Sequence, residues 1–183
     1  MTPTEVLKHE HQVILLVLGA AEREARQIEE TGAARADTVD EMVDFFRSFA
    51  DACHHAKEEK LLFVKMQERG VPVQGGPVAV MLQEHDQGRR LVRAVAEALP
   101  GARAGDREAI ATVKDNLGIY AGFLRAHIAK EDNVLFPMAD RLFTPDDQRA
   151  LSEAFDRLEA EETGAGVHEK YHGLAHQLAG IAA

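Results

Sequence analysis

The chain has 183 residues, of which 45% are hydrophobic, so its composition excludes wholesale disorder. Its 31 acidic residues against 21 Lys and Arg give a formal net charge of −10, which argues against a nucleic-acid partner because phosphate binding needs clustered cations. The single cysteine, Cys53, excludes a disulfide or cysteine-based metal site within one chain. Nine histidines in so acidic a chain are typical of proteins that bind metal ions through nitrogen and oxygen.

The first predicted helix begins close to the amino terminus. Thr2 is a suitable N-cap, Pro3 suits the first helical position, and Glu5 completes a capping box. A stripe of inward positions then advances by alternate steps of four and three residues, which is typical of one buried helix face. The stripe consists of Leu7, His11, Ile14, Leu18, Ala21, Ala25 and Ile28. Gly32 predicts the end of this helix.

Five further helices follow in the predicted order. The second runs from about 37 to 69, with Val39, Val43, Phe46, Ala50, His54, Glu58 and Leu61 inward. The third follows the turn at 70–77 and ends near Leu99, with Val78, Met81, His85, Val92 and Leu99 inward. After a break at 100–105 the fourth carries Val113, Leu117, Tyr120, Leu124, His127, Glu131, Val134 and Met138. Thr144 and Pro145 open a fifth helix, and a short last helix reaches about Leu178.

This order predicts an all-α fold. Four long helices joined by short loops favour an antiparallel up-down-up-down four-helix bundle, made of two repeated helix pairs with additional C-terminal helices. We assign residues 1–142 to the bundle and 143–183 to a C-terminal helical extension that packs on it. The longest apolar run, at 13–21, is too short for a membrane span, and no cleavable leader is evident. We therefore expect a cytoplasmic protein without a membrane partner.

An internal repeat relates the two helix pairs. The segment 7–11 matches 81–85, and 54–63 matches 127–136 without a gap. Each copy contributes a Glu-His pair on its first helix and a His-x3-Glu pair on its second. Residues four apart face the same side of a helix, so each such pair offers an imidazole and a carboxylate to a common centre.

Six polar residues thus lie in register on stripes that should be buried. They are His11, His54, Glu58, His85, His127 and Glu131. Taken singly, a core histidine or a salt-bridged glutamate is the commoner explanation. Taken together, the six residues favour a metal-binding site, because a buried carboxylate is costly unless it is paired or bound to an ion. Four imidazoles and two bridging carboxylates suit a dinuclear iron or manganese centre.

The register of the second helix has two solutions, because His54 with Glu58 and His55 with Glu59 have the same spacing. The gap-free alignment favours the first pair, since His55 then matches the apolar Ile128. Glu59 and its counterpart Asp132 would lie behind the ligands or at the surface, with Asp132 as a fallback ligand. We expect His55 to take no part at the metal.

These motifs resemble the hemerythrin-like (HHE cation-binding) family over about residues 5 to 142. The resemblance implies two iron ions (Fe2+/Fe3+) joined by a bridging oxo or hydroxo group, and manganese or zinc would suit the same donor atoms. It implies the same six residues as ligands and a role in binding O2, NO or peroxide for sensing or detoxification. The alternatives are a non-enzymatic iron-binding or iron-delivery module, including iron–sulfur repair, and a purely structural bundle. Oligomeric state stays open.

One departure from the oxygen-carrying members concerns the third helix. Those proteins have His-x3-His there, whereas the residue four after His85 is Arg89, which leaves the ligand set one histidine short. The last helix could fold over the site and supply the missing ligand, with His172 as first choice and His168 next. His168-Glu169-x2-His172 also fits a zinc-peptidase motif, but too few residues follow for a third ligand.

Overall fold

The computed structural model describes residues 1–72, 74–164 and 166–180, and those residues contain helices and no strand. We number six helices: α1 (Pro3–Thr31), α2 (36–68), α3 (Pro77–Arg103), α4 (107–142), α5 (145–163) and α6 (Val167–Ala179). Within α2, Ala36–Phe45 and Phe63–Glu68 are α-helical, and Phe46–His55 and Glu58–Leu62 are π-helical. Within α4 the π segment is Glu131–Leu135, between Arg107–Lys130 and Phe136–Leu142. Within α5, Pro145–Leu158 precedes the π segment Glu159–Thr163.

Two of the helices begin at the capping boxes that the sequence predicts. The Thr2 side chain accepts a hydrogen bond from the Glu5 amide, and the Glu5 carboxylate accepts one in return from the Thr2 amide. Thr144 and Asp147 repeat this exchange at the start of α5. These bonds satisfy amide groups that have no partner inside the helix. Gly32, with a φ of 70°, ends α1 as predicted.

Contacts between neighbouring helices run in opposite residue order. Early residues of α1 meet late residues of α4, as in the hydrogen bond from Thr4 to Asp140, and late residues of α1 meet early ones, as in the Lys114–Glu29 pair. The same reversal joins α2 to α3. The apolar core falls into two clusters, and on α1 Leu7 belongs to one and Val13 to the other. The polar residues of the predicted site lie between these apolar layers.

The π segments change which residues face inward. Glu58–Leu62 and Glu131–Leu135 each start at a predicted ligand, and each wider turn advances the buried stripe by one residue. The inward placement of Val134 is therefore wrong, since its side chain is 54% exposed and Leu135 is buried instead. Leu62 likewise takes the buried position predicted for Leu61.

Two findings concern the later helices. Helix α3 continues past its predicted end through Pro100 to Arg103, although Pro100 has no amide hydrogen to donate to the carbonyl four residues back. Helix α6 packs on α1 and α2, burying Tyr171 and Ala175 in the core, and the Tyr171 hydroxyl donates to Asp44. No helix in the described part of the chain is long and apolar enough to cross a membrane.

Candidate metal centre

Seven buried side chains form two adjoining groups between the apolar layers. In the first group, the two-histidine cluster, ligand atoms lie within 4.8 Å of one another and belong to His11, His54, Glu58 and Glu131. In the second, the three-histidine cluster, they belong to His55, His85 and His127. Each of the four long helices contributes, and every one of these residues is at most 5% exposed.

Each of the five imidazoles is oriented by a carboxylate outside the clusters. The Nδ1 partners and distances are Asp132 for His11 (2.8 Å), Glu10 for His54 (2.8 Å), Asp51 for His55 (3.2 Å), Glu59 for His85 (2.7 Å) and Glu84 for His127 (2.8 Å). An ionised carboxylate only accepts, so Nδ1 of each ring donates to it, and in a neutral ring Nε2 keeps a lone pair. Second partners of this kind orient the histidine ligands of metal ions.

The two glutamates connect the clusters. Oε1 of Glu58 lies 3.6 Å from Nε2 of His54, and its Oε2 lies 3.4 Å from Nε2 of His85. Oε2 of Glu131 lies 3.3 Å from Nε2 of His11, and its Oε1 lies 3.2 Å from Nε2 of His127. Each carboxylate therefore presents one oxygen to each cluster, as a bridging carboxylate must.

Within the described residues, five inner atoms of the centre have no hydrogen-bond partner. Both oxygens of Glu58, both of Glu131 and Nε2 of His11 are fully buried and unpaired. Nε2 of His85 lies 3.1 Å from Nε2 of His127, so one of these two rings donates a proton to the other. Unpaired buried carboxylates are costly, and cations bound among these atoms would remove that cost. The donor set fits metal ions.

Comparison with known proteins agrees with this geometry. The family model described as the hemerythrin HHE cation-binding domain matches residues 2–139, which include all seven side chains. The chain belongs to this hemerythrin HHE family. It is also 26% identical over 164 residues to an uncharacterized protein of Mycobacterium bovis and to one in each of two strains of Mycobacterium tuberculosis. The match covers 90% of this chain but 64% of each relative. No solved structure matches it.

For this hemerythrin-family chain, the structure brings all six predicted residues together and adds His55. His55, which the sequence was expected to leave away from the metal, lies in the three-histidine cluster: its ring is buried and stacks on that of His85, with centroids 3.9 Å apart. Helix α2 lies between α1 and α3, and consecutive residues point about 100° apart around its axis, so His54 faces α1 and His55 faces α3. The adjacent pair His54-His55 was the signal available in the sequence. Glu59 lies behind the cluster, as the favoured register requires.

His168 and His172 belong to neither cluster. Helix α6 turns Tyr171 and Ala175 inward, which leaves His168, His172 and His176 in a partly exposed row one turn apart. His168 approaches the Phe49 ring, at 5.5 Å between centroids, rather than the carboxylates. The histidine that lies with His85 and His127 is His55 of α2, and no histidine of α6 lies with them.

Burial and neighbouring charge set the protonation of the centre. Burial lowers the pKa of His54 to about 4 and that of His55 well below its ordinary value, so both rings are neutral near pH 7. Burial opposes the charge of His11, but the hydrogen bond to Asp132 and the nearby Glu131 carboxylate outweigh it and raise its pKa to about 9. Burial, then the charge of Glu131, raises the pKa of Glu58. Without a cation, the centre favours a proton on Glu58.

The sequence repeat reappears in the outer contacts. Glu10 binds His54 and Lys57, and its counterpart Glu84 binds His127 and Lys130. The copies differ in burial, because Lys57 is enclosed by the Glu159 carboxylate of α5 whereas the Lys130 side chain is 46% exposed. Helix α5 therefore closes one half of the repeat. Glu10, Cys53 and Glu159 form a third group of possible metal ligands, but there the Lys57 ammonium group is the cation that pairs with the Glu10 carboxylate.

Proposed function

We propose that residues 1–142 form an antiparallel four-helix bundle around a non-haem di-iron centre, with 143–183 as an extension packed on it. This centre would bind O2, NO or peroxide for sensing or detoxification. The carrying observation is that both oxygens of Glu58, both of Glu131 and Nε2 of His11 are buried without a hydrogen-bond partner at the point where five imidazoles converge. Nitrogen and oxygen donors in this number suit iron, and they also accept manganese or zinc.

The two metal positions would differ. His55, His85 and His127 would hold one ion, and His11 and His54 the other, with Glu58 and Glu131 shared. The repeat explains the difference, because the residue equivalent to His55 is the apolar Ile128. With only two histidines to hold it, that ion would have room for a small ligand, and iron there would supply binding and redox chemistry. The stacked Phe136 ring, 5.4 Å from that of His11, helps to exclude water.

The first experiment is metal analysis with optical spectroscopy. The protein loaded with iron under reducing conditions should hold about two ions per chain, and its visible spectrum should change on adding air. Glu58→Gln and Glu131→Gln should each lower the iron content, because each variant removes a bridging charge. His9→Ala, which changes an exposed histidine on α1, is the matched control. Wild-type protein that retains no more iron than the glutamate variants would refute the proposal.

Reaction rates separate this function from iron binding alone. The reduced protein should react with O2, NO or peroxide faster than the same concentration of free ferrous ion. An equal rate would leave only the non-enzymatic role of iron binding or delivery. The enclosure of the ligands, all at most 5% exposed, favours chemistry at a retained metal over release to another protein.

A further inference from the structure

A cavity of about 210 Å3 lies between α2, α3 and α4, against the three-histidine cluster. His55 lines it, and the ring of His55 stacks on that of His85. A water molecule occupies about 30 Å3 in the liquid, so the cavity has the volume of roughly seven waters. That is far more than O2, NO or peroxide needs. The cavity is therefore suited to a larger molecule beside the centre.

The inner wall of the cavity is mostly apolar. Phe46, Val92 and Tyr120 are buried there, and the Phe46 and Tyr120 rings pack edge to face at 4.7 Å between centroids. Gly88 keeps the space open, since a Cβ at this position would lie 3.4 Å from the Tyr120 ring. The Tyr120 hydroxyl forms no hydrogen bond within the described residues, so it is a donor available to a ligand. This wall suits an apolar body.

The rim of the cavity carries positive charge. Arg47 and Arg93 line it and are exposed, and neither forms an ion pair with any residue that the structure describes. Arg89 differs, because it is held by Asp51 at 2.8 Å and Glu59 at 2.7 Å. Two uncompensated arginines beside one cavity stand out in a chain of net charge −10. They favour an anionic group at the rim.

We propose that this cavity binds a small organic carboxylate, with its charged group between Arg47 and Arg93 and its apolar body on the Phe46 and Tyr120 rings. Such a ligand would contact His55 and the Asp51–Arg89 pair, and so it would alter the metal centre through the outer contacts of one histidine. That effect on the metal rests on the proposed function. The binding of the carboxylate does not.

The test measures binding of benzoate to the purified protein by isothermal titration calorimetry. Benzamide, which has a similar shape but no charge, is the comparison ligand. One benzoate should bind per chain, about tenfold more tightly than benzamide. Arg47→Gln and Arg93→Gln should each weaken benzoate binding about two- to fivefold, the range for exposed ion pairs, and leave benzamide unchanged.

Two further variants control the result. Arg90→Gln removes a neighbouring exposed arginine of α3 that hydrogen-bonds Gln87 and does not line the cavity, so it should leave benzoate affinity unchanged. Val92→Phe should fill the cavity and abolish binding of both ligands. Equal affinity for benzoate and benzamide, or equal weakening by Arg90→Gln and Arg93→Gln, would overturn the proposal even if Val92→Phe does not fold.

A spectral measurement separates this inference from the proposed function. Benzoate added to the iron-loaded protein should shift the visible absorption, and Arg93→Gln should raise the concentration needed. Iron binding without any calorimetric binding of benzoate refutes the carboxylate site alone. Benzoate binding to protein that takes up no iron refutes the proposed function alone.

Discussion

The central prediction concerns Glu58→Met, which should have opposite effects with and without metal. Both Glu58 oxygens are buried and unpaired beside the Glu131 carboxylate. A buried polar group without a hydrogen-bond partner costs about 1–3 kcal/mol, and an apolar side chain of similar volume should remove that cost. Metal-free Glu58→Met protein should therefore melt about 2–12 °C above metal-free wild type, since 1 kcal/mol shifts Tm by about 2–4 °C at this chain length.

Metal reverses the comparison for the same variant. Wild-type protein at a metal concentration of about 100 times Kd should gain about 2.7 kcal/mol, whereas the variant, lacking a bridging carboxylate, should gain little. Thermal unfolding followed by circular dichroism, with chelator and with added iron, measures both effects. Glu97→Met, at an exposed position on α3, should change stability by less than about 0.5 kcal/mol in either condition. A metal-free Glu58→Met protein that melts below wild type, with an unchanged metal-dependent gain, would refute the reasoning.

Three other predictions test separate parts of the molecule. Lys57→Met should lower the free energy of unfolding in urea by about 3–5 kcal/mol, because it leaves the buried Glu10 carboxylate without its ammonium partner. Lys130→Met, at the exposed equivalent position in the repeat, should lower it by under about 1 kcal/mol, and equal losses would contradict the difference in burial. His55→Ala should lower iron content towards one ion per chain by elemental analysis, whereas His172→Ala should retain two. Arg69 lowers the pKa of the Asp147 carboxyl, so this carboxylate stabilises the fold fully above its ordinary pKa of 3.8 and loses that effect as the pH falls through the lower folded pKa. Asp147→Asn should therefore flatten the fall in Tm between pH 5 and 2, and an unchanged Tm profile would contradict this.

The helical content, the caps and the repeat were predictable because they depend on neighbours in the sequence. Thr2 with Glu5 and Thr144 with Asp147 form their hydrogen bonds within one turn, so their spacing predicts the contact. By contrast, the assumption of a constant helical period wrongly placed Val134 on the buried face of its helix. The π segment that begins at Glu131 adds a residue to one turn, and no local signal in the sequence marked it.

Among the nine histidines and 31 acidic residues, some positions in the centre were predictable from the sequence and others were not. The sequence by itself determined that six polar residues recur in register on buried helix faces, since spacing sets the direction of each side chain from its own helix axis. Only the tertiary structure decided that His55 joins them and that His172 does not, because this depends on how each helix is rotated against its neighbours. Four of the five carboxylates behind the imidazoles are likewise placed by the tertiary structure, because each lies on a different helix from its histidine.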